Sequence, residues 1–132
     1  MASQKLNLRS VSPSFTVSDV EKSLAWYRDV MGFEVVKRWE EEGKLMGVEM
    51  SAGPTIFMIG QDDWKKGRDR EKGAGFRLYC DTDQDVDELA KGIKARGGKL
   101  LDEPRDEEEW GSRIFSVEDP DGFKMTIARR KT

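Results

Sequence analysis

The chain closes on Val117 to Arg130, VEDPDGFKMTIARR. An acidic strand end runs into Asp-Pro-Asp-Gly, and an alternating strand follows. A carboxylate in such a strand could hold a metal, but Phe123, Lys124, Met125, Thr126 and Ile127 contain none. The whole chain has no histidine. That removes the usual metal ligand, the usual general base near neutral pH, and every Ser-His or Cys-His nucleophile pair. It also removes the two-histidine, one-carboxylate iron site. Catalysis, if any, falls to carboxylates, Lys, Tyr, Cys, Ser/Thr or a bound cofactor. The single cysteine, Cys80, excludes an internal disulfide, and its place in an apolar-alternating stretch predicts a buried, inert thiol.

A length of 132 residues suits one compact domain, or two small modules sharing a core. Apolar residues make up 36% and charged residues 37%, a modest core under a polar surface. The net charge of −3 argues against a nucleic-acid or anionic-membrane binder, which would need a basic face. No stretch reaches the roughly 18 apolar residues of a membrane helix. Met1 to Ser12 lacks the apolar run of a secretory signal, so a cytoplasmic protein is expected.

These residues must be positioned by strands and helices that the pattern of the chain predicts. Ser12 to Val17 alternates as a strand, with Phe15 and Val17 on one face. The capping-box pattern of Ser18 to Glu21 opens a helix whose apolar stripe is Val20, Leu24, Tyr27 and Met31, with Gly32 after it. Strands follow at Phe33 to Glu41, Lys44 to Ser51 and Thr55 to Gly60, with turns at Glu42-Gly43 and Gly53-Pro54. Asp62 to Lys72 is charged and apolar-poor, and reads as a linker. Trp64 within it would staple the loop to the body, or serve as a lid or dimer contact.

The order then repeats. Gly75 to Asp81 is a strand, and Val86, Leu89, Ala90 and Ile93 mark a helix that Gly97-Gly98 ends. Strands are expected at Lys99 to Asp102, Arg113 to Glu118 and Phe123 to Arg129, with a polar connection from Glu103 to Trp110 that is either loop throughout or strand at its edges. Phe15 aligns with Leu78 and Val17 with Cys80, a faint duplication with a period of about 63 residues. The expected fold class is α+β: two paired βαβββ modules forming a curved mixed sheet around a cleft, helices outside. Module one spans 11–60, the linker 61–72 and module two 73–130.

Three stretches, FTVSDVEKSLAWYRDVMGFEV, ARGGKLLDEP and EEWGSRIFSVEDPDGFKMTI, occur in an order and spacing that covers Val11 to Arg130. In them the chain resembles the vicinal oxygen chelate superfamily, which includes glyoxalase I, bleomycin-resistance proteins, fosfomycin-resistance proteins and extradiol dioxygenases. Fold alone does not fix function. The resemblance implies one metal ligand on each of four strands, of His, Glu or Gln type. Carried over by register, those positions fall on Ser12, Met58, Gly75 and Thr126. None offers an anionic or imidazole donor, and Glu49, the nearest strand carboxylate, is expected on a different strand. No metal and no cofactor are therefore expected. What remains is resemblance to metal-free members, with bleomycin-resistance proteins, dimers that sequester a drug unaltered, as the pattern.

Residues sharing the parity of those four positions should face the cleft. They are Ser12, Ser14 and Thr16; Ile56 and Met58; Gly75, Arg77 and Tyr79; Ile114 and Ser116; and Lys124 and Thr126. Phe15, Val17, Phe57, Ile59, Phe76, Leu78, Phe115 and Val117 take the other parity and should pack under the helices. Arg77 and Lys124 could orient an anionic or carbonyl group, or instead reach the rim and pair with Glu118, Asp119 or Glu40. Met58 is core or an adaptable pocket wall. Trp39 and Trp110 would stack on a planar ligand, or pack in the core or a dimer. Asp119 to Gly122 reads as a turn without chemistry. The expected protein binds a small organic ligand without metal, drug sequestration being one form of this, and pairs as a homodimer. The alternative is a lyase or isomerase of the same superfamily, using non-histidine groups such as Tyr79, Arg77 or Lys124, or an unrecognised metal site.

Overall fold

A computed structural model describes residues 4–131 of the chain. Met1 to Ser3 of the amino-terminal lead-in lie outside them. The order is strand, helix, three strands, stated twice. The first repeat holds β1 (Ser14–Val17), α1 (Val20–Ala25), β2 (Glu34–Glu41), β3 (Lys44–Ala52) and β4 (Thr55–Gln61). A π-helical turn, Trp26–Val30, extends α1. The second repeat holds β5 (Arg77–Asp81), α2 (Val86–Ala95), β6 (Leu100–Glu107), β7 (Ser112–Glu118) and β8 (Lys124–Arg130). Each repeat forms its own four-stranded mixed sheet, in the orders β1-β4-β3-β2 and β5-β8-β7-β6. The outer strand of each pairs in parallel, β1 with β4 and β5 with β8. This is the α+β architecture expected, with two adjoining sheets rather than one continuous hydrogen-bonded sheet.

Both helices cover the same kind of face. Phe15, Val17, Phe57 and Ile59 from the first sheet, and Phe115, Val117 and Met125 from the second, share one core cluster with Val20, Leu24, Tyr27, Val86, Ala90 and Ile93. Burying a side chain of this size contributes on the order of 1.5–3 kcal/mol. The predicted stripe holds for Val20 and Leu24 on α1 and Tyr27 in the π-helical turn, all nearly inaccessible, while Met31 is only partly buried. Phe76 departs from expectation at 41% exposed, because β5 begins only at Arg77. It still meets Phe15 and Phe123 edge-on. Gly75 likewise sits in a turn ahead of the strand.

Other boundaries moved for local reasons. Asp19, not Ser18, caps α1, its Oδ1 accepting from the Glu21 and Lys22 amides. Asp85 does the same for α2. β6 runs on through Pro104 to Glu107, despite its polar composition. It is an edge strand, where a proline leaves no ladder bond unmade. Its partner β7 supplies the pairing, with register shifts on both sides of Asp102.

The repeats are tied together across their junction. Phe15 stacks on Phe123 with ring centroids 4.4 Å apart. The Tyr27 hydroxyl donates to Asp119 Oδ2 at 2.8 Å, and the Ser18 amide donates to Asp121 Oδ2 at 2.9 Å. Asp119 Oδ1 also accepts from the Asp121 and Phe123 amides. The Asp-Pro-Asp-Gly turn is therefore more than a turn: its two acids fasten the second repeat to the first.

The connecting segment is ordered around Asp62, which is 5% exposed. Its carboxylate takes Lys72 at 2.8 Å and Arg70 at 3.3 Å, and the Trp64 amide at 2.8 Å. Trp64 lies between Arg68 and Lys72, each about 5 Å from the ring. These contacts lie within the segment itself.

Candidate functional site

The face of each sheet away from the helices is open. On the first, cross-strand register builds two rows. One runs Thr16, Gly60, Gly47, Trp39; the next runs Ser14, Met58, Glu49, Lys37. Trp39 is 41% exposed and lies over Gly47, where a Cβ would stand 3.2 Å from both the indole Cε3 and the Ile59 carbonyl oxygen. Lys37 Nζ is 5.3 Å from the ring centre. The glycines leave a shallow floor and the indole a platform beside it. Sequence reading named Trp39, Ser14 and Met58 but missed Gly47, Gly60 and Lys37. The signal was there: a glycine inside a strand marks a close approach by another group. Glu49 is indeed on another strand, yet it stands directly opposite Met58.

On the second sheet the corresponding rows are Arg77, Lys124, Glu118 and Tyr79, Thr126, Ser116, Asp102. Arg77 Nη1 donates to Thr126 Oγ1 at 2.8 Å and to Ser116 Oγ at 3.2 Å. Those two hydroxyls also bond each other at 3.2 Å. Tyr79 is 50% exposed, with its hydroxyl 3.4 Å from Ser112 Oγ and its ring edge-on to Trp110 at 5.8 Å. Trp110 is itself 52% exposed at the end of a 3-10 turn, Glu108–Trp110.

The structure thus brings Arg77, Tyr79, Ser116, Lys124, Thr126 and Trp110 onto one face, with Ser14, Met58 and Trp39 on the other sheet. Four assignments need correction. Ser12 lies ahead of β1, in exposed chain. Ile114 is on the open side by register but only 3% exposed, so neighbouring side chains cover it. Ser116 and Thr126, each 2% exposed, hold Arg77 rather than offering their own hydroxyls to solvent. Pairing of Arg77 or Lys124 with Glu118, Asp119 or Glu40 is not found: among the described residues neither cation has a carboxylate in ion-pair range.

Two cavities, of about 330 and 280 Å³, border the linker where the sheets meet. Arg70, Glu71 and Lys72 wall both; Lys124 reaches one, and Ser14 and Thr16 the other. The linker therefore stands against the edge of both open faces.

The four positions where the resemblance implies metal ligands can be tested on their donors. Gly75 has no side chain, Ser12 offers a hydroxyl in exposed chain ahead of β1, Met58 offers a thioether, and the Thr126 hydroxyl is already bonded to a guanidinium and a serine. Hard or borderline divalent ions need carboxylate, imidazole or thiolate there. Among the described residues no three His, Cys, Asp or Glu side chains converge. These residues do not fit a metal. Cys80 offers no nucleophile either: burial, then the charge of Asp81, pushes its thiol up to about 11, so it stays protonated at neutral pH.

Residues 9–127 match the family described as Glyoxalase/Bleomycin resistance protein/Dioxygenase superfamily. A lactoylglutathione lyase of Arabidopsis thaliana, GLX1, is 27% identical over 130 residues, which are 96% of this chain and 46% of that protein. The chain spans less than half the length of the plant relatives it matches. A superfamily member from Sphaerobacter thermophilus is 29% identical, with a TM-score of 0.69 over 90% of this chain and 94% of that one. TnmS3, an antibiotic binding protein from Streptomyces sp. CB03234, shares the fold at 24% identity. Its TM-score is 0.72, over 96% of this chain and all of that one.

Proposed function

The chain belongs to the glyoxalase/bleomycin resistance protein/dioxygenase superfamily, and on that premise we propose that it is a metal-free binder of small organic molecules that holds its ligand unaltered. The observation that carries this reading is the hydroxyl-and-guanidinium cluster of Thr126, Ser116 and Arg77. It includes Thr126, one of the positions where the resemblance implies a metal ligand. The open faces supply the rest: exposed aromatic surface at Trp39, Tyr79 and Trp110, the adaptable thioether of Met58, and the cations Arg77 and Lys124. Antibiotic binding by TnmS3, which shares the fold, supports sequestration as the biological form. The assigned contact set is Ser14, Met58, Arg77, Tyr79, Lys124, Trp39 and Trp110, with Ser116 and Thr126 behind Arg77. Division into modules 11–60 and 73–130 joined by a linker, homodimeric assembly and a cytoplasmic location belong to the same reading.

The relatives named lactoylglutathione lyase favour a second reading, an isomerising lyase. One experiment separates them. Protein purified without chelator is assayed for bound metal, then for thermal stabilisation by a panel of planar antibiotics and for turnover of glutathione hemithioacetal. The binder gives no stoichiometric metal, a concentration-dependent rise in Tm with panel compounds recovered intact, and no turnover. Stoichiometric Ni, Zn, Mn or Fe with turnover would establish the lyase instead.

A further inference from the structure

We propose that the open face of the second sheet is a carboxylate-binding site, in which the free edge of Arg77 grips both oxygens of the anion and Tyr79 and Trp110 flank an apolar or aromatic body. This rests on the ligand-binding reading above and names the ligand's chemistry.

A guanidinium carries five N–H donors in a rigid plane. Arg77 directs Nη1 to the Thr126 and Ser116 hydroxyls. Nε and Nη2, the two nitrogens of the opposite edge, make no hydrogen bond among the described residues. Side by side, they match the two oxygens of a carboxylate. Arg28, Arg70, Arg105 and Arg113 each pair with an acid, while Arg9, Arg38, Arg68, Arg96, Arg129 and Arg130, like Arg77, have none in ion-pair range among the described residues. Arg77 instead rests on two hydroxyls that already bond each other, so the cradle aims the group without cancelling its charge. Lys124 is its direct neighbour in the parallel ladder. Like charges placed opposite one another repel, and an anion between them turns that repulsion into attraction.

The body of the ligand follows from what stands next on the strand. Tyr79 is two residues on from Arg77 and on the same side, a rise of about 7 Å, one aromatic ring away. Its ring and that of Trp110 are half-exposed and meet at 75°. A flat carboxylate would place its head at Arg77 and its rings against this pair.

The probes are 2-naphthoate and its uncharged equivalent 2-naphthamide, followed by calorimetry and by the Arg77 Nε–H resonance. Saturable naphthoate binding that moves this resonance is expected, with naphthamide about ten-fold weaker or more. Arg77→Lys keeps the charge and loses the fork, and should lose a similar factor; Arg77→Gln should lose more, and Lys124→Gln less. Both Arg77 variants should keep the native Tm, because Ser116 and Thr126 remain bonded to each other. Equal binding of the two probes, an unmoved Arg77 resonance, wild-type affinity in Arg77→Lys, or no saturable naphthoate binding would each overturn the site. If panel antibiotics bind and naphthoate does not, the carboxylate site falls while the binding reading stands. If naphthoate binds at Arg77 and is chemically altered, the site stands and the reading of an inert binder falls.

Discussion

Asp62 and Asp119 are both almost fully buried, and their surroundings move them in opposite directions. The Lys72 ammonium, then the Trp64 amide, hold Asp62 down to about 2. The stability it adds is complete above its ordinary value of 3.8 and is lost as pH falls through about 2. Asp119 is raised, first by burial, against the pull of its three hydrogen-bond donors. Its neutral form suits the fold, so its contribution is complete below 3.8 and is lost as pH rises through the higher folded value. Urea unfolding at a series of pH values separates the two. Asp62→Asn should be less stable than the parent at neutral pH and converge with it between pH 4 and 2. Asp119→Asn should instead gain on the parent as pH rises above 3.8. A third buried polar group has no partner at all: Ser23 Oγ, on the core side of α1, makes no hydrogen bond. Ser23→Ala removes that unmet demand and improves helix propensity, so a gain of about 1 kcal/mol is expected in chemical denaturation.

At the level of elements, alternation carried most of the information. Phe15, Val17, Phe115 and Val117 could be placed under the helices, and Arg77, Tyr79 and Lys124 opposite them, because a strand has a period of two and each face has one kind of neighbour. Ends were harder. The polar run from Glu103 to Glu107 suggests a strand only at its edge, and pairing with β7 carries the strand through to Glu107. The bonds from Asp119 to Tyr27 and from Asp121 to Ser18 span 92 and 103 residues, beyond any local pattern. Covering of Ile114 and capture of Thr126 by Arg77 are also tertiary, which is why both were read as open contacts. The β2–β3 hairpin shows a local rule broken. Glu42 and Gly43 both have positive φ, 50° and 78°, a geometry that suits Asn-Gly and strains Glu. Glu42→Asn should stabilise the protein by roughly 0.5–1 kcal/mol, seen as a higher urea midpoint at unchanged m-value. Gly47→Ala should do the reverse. Its methyl would meet the Ile59 carbonyl and lift the Trp39 ring, costing roughly 1 kcal/mol or more and changing Trp39 emission.

The whole molecule is held by contacts that belong to neither repeat alone. Residues of both sheets and both helices fall in one buried cluster. Phe15 is stacked on Phe123, and the Arg96 guanidinium of the second repeat donates to the Val30 carbonyl of the first. A four-stranded sheet with one helix is small for independent stability, and stripping either repeat from its partner would expose part of that cluster. The chain should therefore unfold in a single transition, with far-UV circular dichroism and tryptophan fluorescence coinciding. Trp26 and Trp39 report on the first repeat and Trp110 on the second, so single-tryptophan variants can follow each separately. Tyr27→Phe is the sharper probe. It keeps the buried ring and deletes the hydroxyl that reaches Asp119, leaving that carboxylate one donor short. A loss of about 1–3 kcal/mol is expected. If the repeats are coupled as their shared core requires, the loss lowers the midpoint reported by Trp110 as much as that reported by Trp26. Two separate midpoints, with only the first shifted, would mean that the repeats fold independently and the latch serves one of them alone.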